Sequence, residues 1–246
     1  MKIKVINPNT TLSMTAKIGE AAKMAAAAGT KIETVSPTMG PVSIEGHYDE
    51  ALAALGVADE IRKGEQQGFD GYVIACFGDP GLLAARELAR GPVVGVAEAA
   101  MRMACYVATG FSVVTTLQRT VIIAEHLVRA YGLEPFCRRV RATELNVLEL
   151  EEPGSRARKL IESECELALK EDGIGAIVLG CAGMTDLCAD LQQRFGVPVI
   201  DGVAAAIKTV EALVSLNINT SKRGDLAYPL EKKSIGLLSE FSVRKR

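Results

Sequence analysis

Short runs of consecutive apolar residues alternate along this chain with longer stretches whose apolar positions recur at helical spacing. Residues 3–7 (IKVIN) predict a strand and 13–29 a helix ending at glycine. Residues 31–37 predict a second strand, and 48–68 a helix again closed by glycine. Strands at 71–76 and 91–96 alternate with helices at 80–89 and 97–108. Strands that are apolar on both faces and separated by helices belong to a parallel sheet covered on both sides. The fold class is therefore α/β.

The order then restarts. Strands are expected at 110–116, 140–147, 176–181 and 197–201, with helices at 120–132, 157–173, 184–196 and 204–216. Cys76 corresponds to Cys181 at an offset of 105, and Gly78 to Gly183 at the same offset. GPVVGVAEAA matches VPVIDGVAAA at an offset of 106. These correspondences predict two pseudo-symmetric lobes, each a mostly parallel sheet flanked by helices, with the active site between them. Residues 1–107 form the first lobe and 108–215 the second, with 216–246 expected to pack back on the first.

Composition narrows the function classes. The chain has 246 residues, 48% of them hydrophobic, enough for two lobes with real cores. The formal charge is −2, and no basic cluster precedes the closing Arg244-Lys245-Arg246, read as a solvated tail. Nucleic acid is not an expected partner, because neutralising phosphates needs a concentrated basic surface. No run reaches about 18 apolar residues, so no membrane span is expected, and no signal-peptide core is visible. Six cysteines without a Cys-x-x-Cys pair, and two separated histidines, give no zinc pattern. Neither disulfides nor a metal is expected, and the location is read as cytoplasmic. The absence of G-x-G-x-x-G and Walker loops disfavours nucleotide cofactors.

Ligands in open parallel sheets bind beyond the carboxyl ends of the strands. Four polar or glycine-bearing turns fall there: NPNT (7–10), CFGDPG (76–81), TTLQRT (115–120) and CAGMT (181–185). A lone cysteine is usually a small core residue. Two thiols in matched positions, each followed by a glycine and the start of a helix, are harder to explain by packing. Asp79 reads as an N-cap and Pro80 as the first helical residue, so a helix terminus is expected to favour thiolate at Cys76. Thr185 is a possible cap after Cys181. Two opposed thiols suit inversion at carbon, where a proton leaves one face and returns to the other. Backbone N–H groups of the FGD and AGM turns are candidate donors to an enolate oxygen. For Asn9, Thr115 and Thr116, strand-end capping and ligand binding weigh equally. The SIEGHYDEA segment, with Glu45, His47 and Asp49, reads as a loop closure whose Ile44 borders the cleft. Cys105, Cys137, Cys165 and Cys188 read as packing residues.

VINPNTT, CFGDPGL (76–82), VVTT (113–116) and LGCAGM (179–184) together resemble the aspartate/glutamate/hydantoin racemase superfamily, in its hydantoin- and allantoin-racemising branch. The likeness runs from residue 5 to about 229. It implies a cofactor-independent racemase, with Cys76 and Cys181 as the two bases and a small-molecule substrate, working as a homo-oligomer. It further implies that Asn9, Ile44, Phe77, Gly78, Asp79, Thr115, Thr116, Gly180, Ala182 and Gly183 contact the ring. The alternatives are allantoin or an amino acid as substrate, a non-catalytic two-lobe binding protein, and a redox thiol pair.

Overall fold

The computed structural model describes residues 1–151 and 156–243; the basic closing triplet lies outside them. The first half runs β1 (Lys2–Ile6), α1 (Leu12–Ala25), β2 (Lys31–Val35), α2 (His47–Gln67), β3 (Gly71–Ile74), α3 (Leu82–Leu88), β4 (Val93–Gly95) and α4 (Val96–Val107). The second runs β5 (Phe111–Thr115), α5 (Gln118–Ala130), β6 (Cys137–Ala142), α6 (Ala157–Glu171), β7 (Ala176–Leu179), α7 (Cys188–Phe195), β8 (Val199–Ile200) and α8 (Gly202–Ser215).

All strand pairs are parallel, and the two four-stranded sheets share one order: β2-β1-β3-β4 and β6-β5-β7-β8. The central strands β3, β5 and β7 are buried at every position, as unbroken apolar runs require when helices cover both faces. β6 differs from expectation. It lies at 137–142 rather than 140–147 and carries exposed Arg138 and Arg139. An edge strand tolerates such charges and hides from an apolar pattern. Its buried Arg141 is neutralised by Asp172, Glu164 and Glu171.

The helices do not respect the division at residue 107. α4 places Ala97, Ala100, Met101 and Ala104 in the core of the second sheet, beside Phe111, Val113 and Val178. α8 places Val203, Ala206, Ile207 and Val210 against Ile3, Val5 and Val73 of the first. Each half thus lends its last helix to the other half's sheet. The exchange fixes the sheets against each other and sets the carboxyl ends of β3 and β7 around common space. After α8 the chain runs along the first lobe, where Thr220 and Lys222 donate to main-chain oxygens of residues 86–91. No helix of the described residues is long and apolar enough to cross a membrane.

Candidate active site

β3 ends at Ile74 and β7 at Leu179, and each is followed two residues later by a cysteine. Cys76 and Cys181 line one cavity between the lobes. Asn9, Ile44, Phe77 and Gly78 line it from the first half. Thr115, Thr116, Gly180, Ala182 and Gly183 line it from the second. The fold therefore brings together every expected site residue except Asp79.

Asp79 is a correction. It was expected to cap its own helix and to touch the ring. Instead it adopts a left-handed backbone, φ 43°, and the helix after it begins only at Leu82. Its carboxylate turns away from the cavity to the N-terminus of α4, accepting from Ala97 N–H (3.1 Å) and Glu98 N–H (2.9 Å). It also accepts from the Tyr131 hydroxyl at 2.6 Å. Gly95 makes this possible, since a Cβ there would stand 2.2 Å from the carboxylate. Burial pushes the Asp79 carboxyl up to about 6, against the opposing pull of those three donors. Asp79 thus fastens the Cys76–Gly78 turn to α4 and to the second lobe. Phe77 adds an anchor by packing into the second sheet's core.

The electrostatics of Cys76 also differ from expectation. Burial pushes its thiol up, and the Gly78 N–H pulls the other way. Cys181, Glu50 and Asp79 add to the rise by charge repulsion. α3, seven residues long, begins only at Leu82, six positions after Cys76. A proton on Cys76 is tightly held, and the thiolate left by its loss is a strong base.

The remaining polar groups divide between scaffold and cavity. Asn9 Oδ1 is spent on its own turn, accepting from Asn7 Nδ2 and Thr11 N–H, both at 2.9 Å. Among the described residues Asn9 Nδ2 meets only the Met14 sulfur, at 3.2 Å. The Thr115 hydroxyl ties β5 to the β7 turn, donating to Gly180 O at 3.2 Å. Among the described residues the Thr116 hydroxyl makes no hydrogen bond, which leaves it for a ligand. Lys17 and Glu45 are among the residues that close the lobes over the site. Lys17 of α1 donates to Gly183 O at 3.0 Å. Glu45 accepts from the N–H of cavity-lining Val147 at 2.8 Å.

Sequence reasoning missed Glu50, Met14, Ala75, Ile123, Ala124 and Val147, all of which line the cavity. Thr120, Ile123 and Ala124 share one face of α5 at helical spacing, a signal present in the sequence. Among the described residues no lysine or arginine lines the cavity, and Glu50 is its one carboxylate. Cys165 and Cys188 are buried in the second lobe's core, and Cys105 and Cys137 pack against its other face.

The profile of the Asp/Glu/Hydantoin racemase family matches residues 3–210. The chain belongs to the Asp/Glu/hydantoin racemase family. A hydantoin racemase of Rhizobium meliloti is 53% identical over 236 residues, 96% of this chain and 98% of that one. Among solved structures, an allantoin racemase of Klebsiella pneumoniae superposes with a TM-score of 0.97 at 57% identity, covering 98% of this chain and 99% of that chain. A Pseudomonas fluorescens allantoin racemase superposes at 0.92 with 43% identity, covering 96% of this chain and 100% of that one. Membership in this family at such identity makes the chain an isomerase of the racemase class.

Proposed function

We propose that this racemase inverts C5 of 5-monosubstituted hydantoins by passing a proton between Cys76 and Cys181, without a cofactor. The observation that carries the reading is that both thiols line one cavity devoid, among the described residues, of lysine and arginine. A carboxylate substrate would call for a cation there, whereas a neutral ring does not.

One cysteine, as thiolate, removes the C5 proton. The C–H electron pair moves into the ring and onto the neighbouring carbonyl oxygen. The other cysteine, as thiol, delivers its proton to the opposite face of C5. The enzyme is left with its two protonation states exchanged, and the same steps in reverse convert the other enantiomer. The mutual repulsion between the thiols favours one charge over two. The Thr116 hydroxyl is the donor assigned to the developing oxyanion, while the Gly78 N–H serves the Cys76 sulfur.

Allantoin, itself a hydantoin with a ureido group at C5, is the second reading, favoured by the likeness to the Klebsiella pneumoniae structure. Polarimetry with both enantiomers of 5-benzylhydantoin, allantoin and free aspartate, in EDTA, separates the readings. Loss of rotation with a hydantoin and none with aspartate is expected. Racemisation of aspartate alone overturns the proposal. The enzyme is further proposed to be cytoplasmic, in keeping with six free thiols. It is proposed to be a homo-oligomer, in keeping with exposed Leu230, Ile235 and Leu237 in the C-terminal segment. Light scattering at micromolar concentration tests the second point, and a mass of one chain refutes it.

A further inference from the structure

Glu50 lies in the first turn of α2, where a glutamate ordinarily faces water. Here it lines the same cavity as the two thiols. The approach depends on a glycine: a Cβ at Gly78 would stand 2.3 Å from Glu50 Oε1. The bare backbone of the Cys76–Gly78 turn thus admits the carboxylate to the reaction space. Its two oxygens are in different states. Oε2 is paired with His47 Nδ1 at 3.2 Å. The His47 ring stacks on His126 of the second lobe, with centroids 6.3 Å apart and planes at 17°. Oε1 makes no hydrogen bond among the described residues. The His47–His126 stack holds the carboxylate in place from behind, and Oε1 is presented to the cavity.

An acceptor held there needs a donor from whatever enters. A hydantoin ring supplies two N–H groups and no negative charge, which matches a cavity with one carboxylate and, among the described residues, no lysine or arginine. We propose that Glu50 is a specificity-determining residue, whose Oε1 accepts a hydrogen bond from a ring N–H of the substrate beside Cys76. The inference rests on the hydantoin reading above and adds the group that orients the ring.

A cycle between protein and substrate tests it. kcat/KM is measured for 5-benzylhydantoin and for its N1-methyl and N3-methyl derivatives, with wild type and Glu50→Ala. N-methylation alters C5 acidity in both proteins alike, so that effect cancels; the room opened by alanine does not, and Glu50→Gln, of the same size as glutamate, separates it from the hydrogen bond. One of the two methyl groups is expected to cost wild type about 10- to 100-fold more than it costs Glu50→Ala, the worth of a hydrogen bond to a charged group. Glu50→Gln, which keeps the shape and loses the charge, is expected to narrow that difference by threefold or more. Equal methylation penalties in wild type and both variants, at both nitrogens, overturn the inference alone. Failure of wild type to racemise the parent hydantoin overturns the proposed function and this inference with it.

Discussion

Replacing Tyr131 with Phe isolates the fastening between the Cys76 turn and the second lobe. The hydroxyl donates to buried Asp79 at 2.6 Å, and the substitution removes only that oxygen. With Asp79 held near 6, the group is mostly protonated at pH 5 and ionised at pH 8. A hydrogen bond to a charged acceptor contributes about 1.5–3 kcal/mol and one to a neutral acceptor about 0.5–1.5 kcal/mol. The sign follows from the direction of the shift. A carboxyl raised above its ordinary value of 3.8 leaves the protein most stable below that value, and stability falls as pH climbs through about 6. Removing a donor to the ionised form raises Asp79 further and extends that fall to higher pH. The Tyr131 hydroxyl is itself pushed up by burial and by Asp79, so it does not titrate in this window. Glu98 also faces Asp79, but it is paired with Arg86 and Arg102 in both proteins. Urea unfolding at one protein concentration should therefore show Tyr131→Phe destabilised by about 1.5–3 kcal/mol at pH 8 and by about half that at pH 5. An equal loss at the two pH values, or none at pH 8, refutes the assignment of Asp79 as an ionised latch.

Two further substitutions probe the scaffold around the site. Gly95→Ala drives a methyl to 2.2 Å from the Asp79 carboxylate. It should cost roughly 1–3 kcal/mol in urea unfolding and lower kcat, because the Cys76 turn must shift. Arg141→Met leaves Asp172 buried and short of its main partner, where Arg141 now holds it below the usual carboxylate range. A loss of about 3–5 kcal/mol is expected at pH 7, shrinking as pH falls and Asp172 takes up a proton.

The central strands were legible because strands buried on both faces must be apolar throughout, as β3 and β7 are. The repeat was legible because both turns need a cysteine and a glycine at the same distance from a strand end. β6 starts three residues and ends five residues earlier than expected because an edge strand can carry Arg138 and Arg139. The helix exchange left no local trace. α4 and α8 each have an apolar face, and nothing in either segment names the sheet that it covers. Asp79 misled because Asp-Pro-Gly reads as a local cap, while its real partners, Ala97, Glu98 and Tyr131, lie 18 to 52 positions away. Glu50 was passed over because its route into the cavity depends on a glycine 28 positions later, a proximity made only by the fold.

Hydrogen exchange at C5 tests the two-thiol account most directly. Each pure enantiomer of 5-benzylhydantoin is incubated in deuterium oxide with wild type, Cys76→Ser and Cys181→Ser, and its C5 proton signal is followed together with its rotation. Wild type should lose both, whereas each variant should exchange one enantiomer only, a different one in each case, with rotation preserved. A variant that still racemises, or two variants that exchange the same enantiomer, would contradict bases on opposite faces of one carbon.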